Sequence, residues 1–464
     1  MKYDMIVIGS GPGGYVAAIR GSQLGKKVAV IEQAEVGGIC LNWGCIPTKA
    51  LLKSAQVYRQ MQEATSYGIK VEGNLVADFP AMIKRSRDVA ATMSKGVQFL
   101  LKKNKIDLIS GHGCLAGEHA VEVTNAEGAV QTYTAPDIII ATGARSRSLP
   151  QIPQDGKRVL GYREALSLTQ LPERMVVIGS GAIGSEFACL YAHLGTKVTL
   201  VEYLPNIVPL EDEEISKQLE RVFRKVGITV MTAATVEQVN TTGNNCEVSV
   251  KDSKGNPTNL ACDVVLSAAG IVPNVENIGL ENAGVILDKG KIVVDEYYRT
   301  PVAGVYAIGD IVYGPALAHV ASHEALICVE HIAGLMVTPL DYNNIPACTY
   351  TFPEIASVGM SEKAALAAGK NIRVGKFPFT ASGKATASGH RDGMVKIIFD
   401  RETDLCLGCH LIGENVTEMI SGIVLARAHE VTGHDILHAI HPHPTLSEAI
   451  MEATATAYGQ AIHL

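Results

Sequence analysis

The chain has 464 residues, 47% of them hydrophobic, and a formal net charge of -7 at pH 7. This length predicts two to four domains with sizeable apolar cores. Its 40 lysines and arginines are dispersed, which argues against a surface for nucleic acid or an anionic membrane.

The chain contains no apolar run of the ~18 residues that a membrane span needs. It enters an apolar strand at Met5, which leaves no room for a signal or transit peptide. Its ten cysteines are spread through a long chain, so we do not predict a disulfide framework. The expected location is a reducing cytoplasm.

The first motif is an apolar strand that runs into G-x-G-x-x-G and then into a helix. A second strand, 28–31, ends at an acid, and the whole arrangement predicts a dinucleotide-binding fold. Gly9 permits the tight turn, Gly11 lets the backbone approach a pyrophosphate, and Gly14 lets helix and strand pack closely. Glu32 can accept hydrogen bonds from ribose hydroxyls.

Two cysteines stand five positions apart in the next stretch, with glycines on both sides. A disulfide between Cys40 and Cys45 would close a small, constrained and easily reduced ring. Pro47-Thr48-Lys49 indicates a helix start, and a helix N-terminus together with the Lys49 charge would acidify a thiol. The alternative is a pair of buried thiols in a glycine loop.

The chain then predicts regular elements up to a boundary near residue 146. They are a helix from about 80 to 103, short strands with glycine turns over 111–134, and a buried parallel strand over 137–144 that leaves through a glycine turn.

The nucleotide motif occurs twice, because Gly179, Gly181, Gly184 and Glu202 repeat the first set at a distance of 170 positions. Two dinucleotide folds in one chain imply electron transfer between two nucleotides. Glu202 favours a free ribose 2′-hydroxyl, and residues 203–206 supply no arginine for a 2′-phosphate, so NAD is favoured over NADP.

Strands at about 235–251 and 264–270 complete the second fold, and another buried strand over 305–310 ends in Gly-Asp. Asp310 is placed to meet a ribityl or ribose hydroxyl, or else it is the N-cap of a helix over 311–333. The helix predicted over 316–334 contains three histidines, but no acid or thiol cluster completes a metal site with them.

From about residue 344 the pattern changes to that of an α+β domain with an antiparallel sheet, a kind that often mediates dimerisation. Cys406 and Cys409 lie within one predicted strand and would face opposite sides of it, so we do not predict a redox or zinc pair. Near the end, His443 and Glu448 form either a general-base pair or a helix-capping motif.

The chain contains, in one order, the two fingerprints, G-G-x-C-L-N-x-G-C-I-P-x-K, the A-T-G strand, the Gly-Asp strand and H-x-H-P-T-L-S-E. Taken together, these motifs resemble those of the flavin-dependent pyridine nucleotide-disulfide reductases along the whole chain. The resemblance implies an α/β fold with two Rossmann-like FAD- and NAD-binding domains and a C-terminal α+β dimerisation domain. The expected parts are 1–146 and 272–343 for FAD, 147–271 for NAD, and 344–464 for the dimer interface.

The resemblance also implies the site residues. FAD would bind Gly9, Gly11, Gly14, Glu32, Lys49, Gly113, Thr142, Gly143, Asp310 and Ala318; NAD would bind Gly179, Gly181, Gly184, Glu202, Val236 and Gly270; and catalysis would use Cys40, Cys45, Lys49, Glu186, His443 and Glu448. No metal is expected.

Within the family, the motifs look most like those of members that oxidise protein-bound dihydrolipoyl groups with NAD. That likeness implies that Cys40 exchanges with substrate, that Cys45 contacts the flavin, and that His443, backed by Glu448, comes from the other subunit of a homodimer. The implied partners are lipoylated proteins of 2-oxoacid dehydrogenase or glycine-cleavage complexes and their core-binding domains.

One position departs from the family pattern, which often has an arginine where this chain has Ile271. We expect the change to weaken NAD binding. The alternatives are a glutathione-type reductase, which Glu202 opposes, a mercuric-type or large thioredoxin-type reductase, which would need a C-terminal cysteine pair, and a binding protein whose flavin only holds the fold.

Overall fold

The structure is a computed structural model that describes residues 2–117, 119–243 and 245–464. Two compact units make up the chain, and each gathers three separate segments. The first unit contains Met1–Ala50, Ala81–Arg147 and Ile271–Tyr342, and the second contains Leu51–Pro80, Ser148–Gly270 and Asn343–Leu464. The predicted division into 1–146, 147–271, 272–343 and 344–464 is not tested by these two units and stays a prediction.

The first unit is built on a five-stranded parallel sheet in which four strands are mostly buried and one edge strand is mostly exposed. Its strands, in sheet order, are Val305–Ala307, Asp137–Ile140, Met5–Ile8, Val28–Glu32 and Asp107–Ser110. Buried parallel strands read as continuous apolar runs, which is why four of these strands were predicted from the sequence, whereas the mostly exposed edge strand Asp107–Ser110 was not. The helix Pro12–Gln23 follows the first strand, and Ala318–Ile332 follows the strand at the sheet edge.

Smaller elements complete this unit. They are the helices Gly38–Asn42, Cys45–Gln62, Phe79–Lys103 and Leu280–Ala283, the antiparallel strands His112–Leu115, Ala120–Thr124 and Val130–Thr134, the ribbons of Ala144–Ser146 with Ile271–Pro273 and of Leu287–Asp288 with Lys291–Ile292, and the 3-10 turns Gly309–Ile311 and Tyr342–Asn344. Two of the helices and the last turn extend into the second unit.

The second unit repeats the same parallel sheet, which confirms the two-fold repeat of the nucleotide motif. Its strands, in sheet order, are Thr229–Met231, Lys197–Val201, Arg174–Ile178, Val264–Ser267 and Val159–Leu160. Its helices are Ala182–His193, Glu213–Val226 and Tyr162–Ala165, and the strands Thr235–Thr242, Asn245–Lys251 and Pro257–Cys262 form an antiparallel sheet.

The C-terminal part of this unit is the predicted antiparallel α+β region. Its sheet has the order Ala347–Thr349, Glu354–Gly359, Cys406–Gly413, Met394–Asp400 and Ile372–Pro378. Its helices are Glu362–Ala367, Gly383–Ser388, Val416–Ala428, Gly433–His438 and Glu448–Ala457, and Phe379–Ala381 is a 3-10 turn. The segment Leu51–Pro80 of the second unit contributes the 3-10 turn Ala64–Tyr67. One apolar core joins this sheet to the two longer helices.

The expected opposite orientation of Cys406 and Cys409 was wrong. Both side chains are buried in the same apolar core. The strand register shifts beside Phe399, so Leu407 has no partner on the strand Met394–Asp400 and the alternation of faces is reset. The two thiols are therefore core residues, as predicted, although for a different geometric reason.

A buried ion cluster in the second unit centres on Lys396, whose side chain is 2% exposed. Its ammonium group lies 2.9 Å from Asp212, 2.6 Å from Glu214 and 2.7 Å from Glu362. Asp212 also caps the helix Glu213–Val226 by accepting the Glu214 backbone N–H. The cluster thus ties the start of that helix to the C-terminal sheet.

We expect Lys396→Ala to lower the free energy of unfolding by roughly 3–5 kcal/mol, because three carboxylates would lose their buried cation. Urea unfolding followed by circular dichroism measures the change. Lys363→Ala is the matched control, since this lysine pairs with Glu213 at 3.0 Å but is 79% exposed, and should cost under about 1 kcal/mol. Equal losses in the two variants would contradict the account.

Candidate active site

The first glycine motif has the geometry that the sequence predicted. The N–H of Gly9 donates to the Ile31 carbonyl at 2.8 Å, and its φ of +101° lies in the left-handed region. A Cβ on Gly14 would collide with the Gly9 carbonyl oxygen, so only glycine lets the helix approach the strand. A Cβ on Gly11 would meet no atom within 4 Å, so open space faces this backbone where a pyrophosphate would lie.

Glu32 is fixed by hydrogen bonds that sequence reasoning missed. One carboxylate oxygen accepts the Ser10 backbone N–H at 2.9 Å and the Ser10 hydroxyl at 2.6 Å. The other oxygen accepts the Ala34 N–H at 2.9 Å. Three donors hold the carboxylate in one orientation and leave further lone pairs for ribose hydroxyls.

The second glycine motif reproduces this geometry. Gly179 has a φ of +93°, a Cβ on Gly184 would collide with Gly179, and a Cβ on Gly181 would meet nothing within 4 Å. Glu202 accepts the Ser180 N–H at 2.8 Å, the Ser180 hydroxyl at 2.7 Å and the Leu204 N–H at 2.8 Å. A serine follows the first glycine of each motif, at Ser10 and Ser180. This recurrence was the sequence signal that could have predicted how both glutamates are held.

We expect Gly181→Ala to raise the KM for NAD at least about tenfold while flavin content stays normal. The new methyl group touches no atom of this chain, so the fold is kept, but it occupies the space that a pyrophosphate needs. Steady-state kinetics and the visible spectrum measure the two quantities. Gly11→Ala is the reciprocal control and should lower flavin content, and loss of flavin from Gly181→Ala would contradict the assignment.

The cysteine pair lies where the short helix Gly38–Asn42 meets the N-terminus of Cys45–Gln62. We predicted that the second helix starts near Pro47, but it starts at Cys45, so this thiol occupies the first helical position. Both cysteines are thiols here, and the hydrogen bond with Cys45, together with burial, raises the pKa of Cys40.

The glycine between the two cysteines brings their segments together. A Cβ on Gly44 would lie 3.1 Å from the Ile39 carbonyl oxygen and 3.3 Å from the Cys40 Cα, so a larger residue would push the two thiols apart. Thr48 closes the first turn of the cysteine helix by donating its hydroxyl to the Gly44 carbonyl at 2.6 Å.

A clamp of Asn42, Trp43 and Arg87, which sequence reasoning missed, holds this stretch. The Asn42 amide donates to the Val36 and Gly38 carbonyls at 3.0 Å each. The Arg87 guanidinium donates to the Asn42 carbonyl at 2.6 Å and lies 3.9 Å from the centre of the Trp43 ring. The dithiol is therefore rigidly supported by an arginine 42 positions after Cys45 in sequence.

The histidine near the C-terminus makes the contact proposed for a general-base pair. The Nδ1 atom of His443 lies 2.9 Å from a Glu448 carboxylate oxygen, while the other oxygen accepts the Thr445 N–H at 2.7 Å. Burial alone would raise the pKa of Glu448, but the bonds from Thr445 and His443 hold it below its usual value. The carboxylate thus stays ionised and can orient the imidazole and stabilise its cation.

Comparisons with known proteins agree with this geometry. The sequence profile of the pyridine nucleotide-disulphide oxidoreductases matches residues 3–325, and that of their dimerisation domain matches residues 345–454. The chain is 47% identical to a dihydrolipoyl dehydrogenase of Zymomonas mobilis, covering 99% of both chains, and 44% identical to that of Bacillus subtilis, covering 100% of this chain and 99% of the other. It superposes on the crystal structure of LpdA from Mycobacterium tuberculosis with a TM-score of 0.90 at 30% identity, covering 97% of this chain and 98% of the other.

The chain belongs to the pyridine nucleotide-disulphide oxidoreductase family. The predicted resemblance and fold class are therefore confirmed, and so is the cofactor pair of FAD and NAD at the level of the family. The match to the dimerisation domain supports a homodimer. Across the described residues, no helix combines the length and the apolar character needed to cross a bilayer.

Other residues that the family resemblance assigns to FAD lie around the parallel sheet of the first unit. Thr142 and Gly143 follow the strand Asp137–Ile140, and both are bonded to Asn274: the Thr142 hydroxyl donates to the Asn274 carbonyl at 2.6 Å, and the Asn274 N–H donates to the Gly143 carbonyl at 2.8 Å. Gly113 lies in a short strand, and a Cβ there would crowd Ile8 and Ile31.

Asp310 lies in the turn Gly309–Ile311, where burial raises the pKa of its carboxyl. The alternative role as a helix N-cap was wrong, because the following helix begins only at Ala318 and its N-cap position is Leu317. Asp310 is therefore a half-buried acid beside the family's flavin positions. No described group of His, Cys, Asp and Glu has the arrangement of a metal site, including the histidines of this helix.

In the second unit, Glu186 is buried in the helix Ala182–His193 and accepts the Tyr350 backbone N–H at 2.9 Å. Gly270 has a φ of +96° just after the last strand of its sheet. The side chain of Val236 packs in the apolar core, so only its backbone is available to a nucleotide.

Proposed function

We propose that this chain oxidises dihydrolipoyl groups to lipoyl groups and reduces NAD+ to NADH. The observation that carries the proposal is the Cys40–Cys45 dithiol at a helix N-terminus, in a chain that is 44–47% identical over its length to dihydrolipoyl dehydrogenases. A glutathione-type reductase is not favoured, because Glu202 is oriented to accept from ribose hydroxyls and would repel a 2′-phosphate.

We assign FAD to the first unit and NAD to the second. Gly9, Gly11 and Gly14 would cradle the flavin nucleotide, with Glu32 on its ribose, Asp310 on its ribityl chain, and Lys49, Gly113, Thr142, Gly143 and Ala318 lining the rest; Gly179, Gly181, Gly184, Glu202, Val236 and Gly270 would hold NAD. The open space at Gly11 and Gly181 fits both groups. Bound FAD supplies the two-electron carrier between the dithiol and NAD.

The first half of the reaction is thiol–disulfide exchange. The partner subunit's His443 takes a proton from dihydrolipoyl, and the resulting thiolate attacks Cys40 in the Cys40–Cys45 disulfide, which releases Cys45 as a thiolate. The second dihydrolipoyl thiol closes the lipoyl ring and releases Cys40. The helix N-terminus stabilises the Cys45 thiolate, Lys49 adds positive charge one turn later, and Glu448 orients the His443 of its own subunit.

The second half returns the dithiol to a disulfide. Its two electrons and one proton are delivered to NAD+ as a hydride, and the other proton is released, so that one dihydrolipoyl group gives one lipoyl group, NADH and H+. We further propose that the substrates are lipoyl groups of 2-oxoacid dehydrogenase or glycine-cleavage complexes in the cytoplasm, and that the core-binding domains of those complexes hold the homodimer.

The test compares dihydrolipoamide with glutathione as the electron donor, and NAD+ with NADP+ as the acceptor. Purified protein should form NADH from dihydrolipoamide and NAD+, with at least about 100-fold lower kcat/KM for NADP+ as acceptor or glutathione as donor. Equal use of NADP+ and glutathione would replace the proposal with a glutathione-type activity.

A further inference from the structure

Glu324 is a deeply buried acid to which neither the fold nor the proposed reaction gives a task. It lies in the helix Ala318–Ile332, and its exposure of 1% is the lowest of any carboxylate among the described residues. A carboxyl group at such depth is costly unless specific donors satisfy it. Its contacts therefore indicate what it does.

Both carboxylate oxygens of Glu324 have a donor. One accepts the backbone N–H of Gly309 at 2.6 Å, and the other accepts the Tyr342 hydroxyl at 2.7 Å. The Tyr342 oxygen lies 3.2 Å from the hydroxyl oxygen of Tyr298, so a short hydrogen-bonded chain leads away from the carboxylate. All four residues belong to the first unit.

The Gly309 N–H needs this acceptor because the chain leaves the sheet there. The last bond of the strand to its neighbour runs from Ile308 N–H to the Ile140 carbonyl at 3.0 Å. Gly309 then has a φ of +79° and starts the turn that contains Asp310. At the far end of the turn, the Lys291 ammonium donates to the Val312 carbonyl at 2.7 Å. Charged side chains thus hold the turn on both sides of Asp310.

We propose that Glu324 is a positioning residue for flavin binding, an inference that rests on the assignment of FAD to the first unit. By fixing the Gly309 N–H, and by being held in turn by Tyr342, it sets where the Asp310 carboxyl meets a ribityl hydroxyl. A hydrogen bond to a charged acceptor is short and directional, which suits it to hold a neighbouring carboxyl in place.

Two substitutions of Glu324 distinguish its role as a hydrogen-bond acceptor from the effect of its size. Glu324→Ala leaves the Gly309 N–H and the Tyr342 hydroxyl without their acceptor, and we expect the Kd for FAD to rise about tenfold or more, since a buried donor left unsatisfied is unfavourable. Glu324→Gln should stay within about threefold of wild type. Its amide oxygen can accept from Gly309, and its NH2 can donate to Tyr342, whose hydroxyl can rotate toward Tyr298.

The experiment titrates apoprotein with FAD and follows flavin fluorescence, with a thermal midpoint of each apoprotein as the structural readout. Glu330→Gln is the matched control on the same helix, because this residue pairs with Arg20 at 2.7 Å near the surface, and its Kd should not change. If Glu324→Ala cannot be purified, Tyr342→Phe takes its place with an expected rise of at least threefold.

An FAD Kd within twofold of wild type in Glu324→Ala, or in its substitute, would overturn the proposal even if the thermal midpoint fell. A Glu324→Gln variant as impaired as Glu324→Ala would also overturn it. Both outcomes are independent of dihydrolipoamide turnover. A wild-type protein that binds FAD but does not oxidise dihydrolipoamide would refute the proposed function and leave this inference standing.

Discussion

Replacing Cys45 with serine is expected to abolish NADH formation from dihydrolipoamide, to below about 0.1% of the wild-type kcat. Serine has nearly the same size as cysteine, and Cys45 is half-buried at the first position of its helix, so the fold should survive. The hydroxyl cannot form a disulfide with Cys40, and thiol–disulfide exchange then has no enzyme disulfide to attack. An NADH assay with excess dihydrolipoamide measures the loss.

Cys348→Ser provides the matched control for this variant. Cys348 is also half-buried, but it lies in the C-terminal sheet, outside the predicted redox stretch. This variant should keep wild-type turnover, and both variants should keep their flavin spectrum. Retained turnover in Cys45→Ser would contradict the mechanism and would favour a protein whose flavin only supports the fold.

The second large effect is expected at His443. His443→Gln should slow dihydrolipoamide oxidation by at least ~10²-fold, the usual scale for a lost general base. The imidazole is held by Glu448 at 2.9 Å, and its side chain is 78% exposed, so it is oriented yet open to a substrate. Glutamine keeps the size and a hydrogen bond to Glu448 but cannot take up a proton near pH 7.

His463→Gln is a close control for His443→Gln, because His463 also pairs with a carboxylate of the same helix. Its Nδ1 lies 2.6 Å from Glu452. This variant should retain turnover within about threefold, since glutamine can keep the hydrogen bond to Glu452 and His463 has no part in the proposed reaction. A loss of only a few-fold in His443→Gln, or equal losses in the two variants, would mean that the base lies elsewhere.

The parts of the fold that depend on local pattern were predictable. Gly9, Gly14 and their repeats carry steric demands that only glycine meets, and the buried parallel strands read as continuous apolar runs. The second glycine motif repeats the first at a constant spacing, and this repetition strengthened the prediction of both nucleotide-binding folds. The acid at the end of each second strand followed from the same pattern, including its choice of ribose over phosphate.

The parts that depend on tertiary contacts were not predictable. Gly44 packs closely against Ile39 just before the helix that starts at Cys45, and the clamp on the redox stretch uses Arg87 from a helix distant in sequence. The buried position of Glu324 is equally invisible locally, since a glutamate within a helical pattern normally indicates a solvated face. The strand bulge beside Cys406 likewise depends on the neighbouring strand.

The proposed reaction requires that dihydrolipoyl groups reduce one specific disulfide of this chain. Anaerobic treatment with one equivalent of dihydrolipoamide, alkylation of the folded protein and peptide mapping test it most directly. We predict that alkylation rises at Cys40 and Cys45 together and at no other cysteine, and that glutathione does not produce this change. Unchanged alkylation of that pair, or a rise at another pair, would contradict the account.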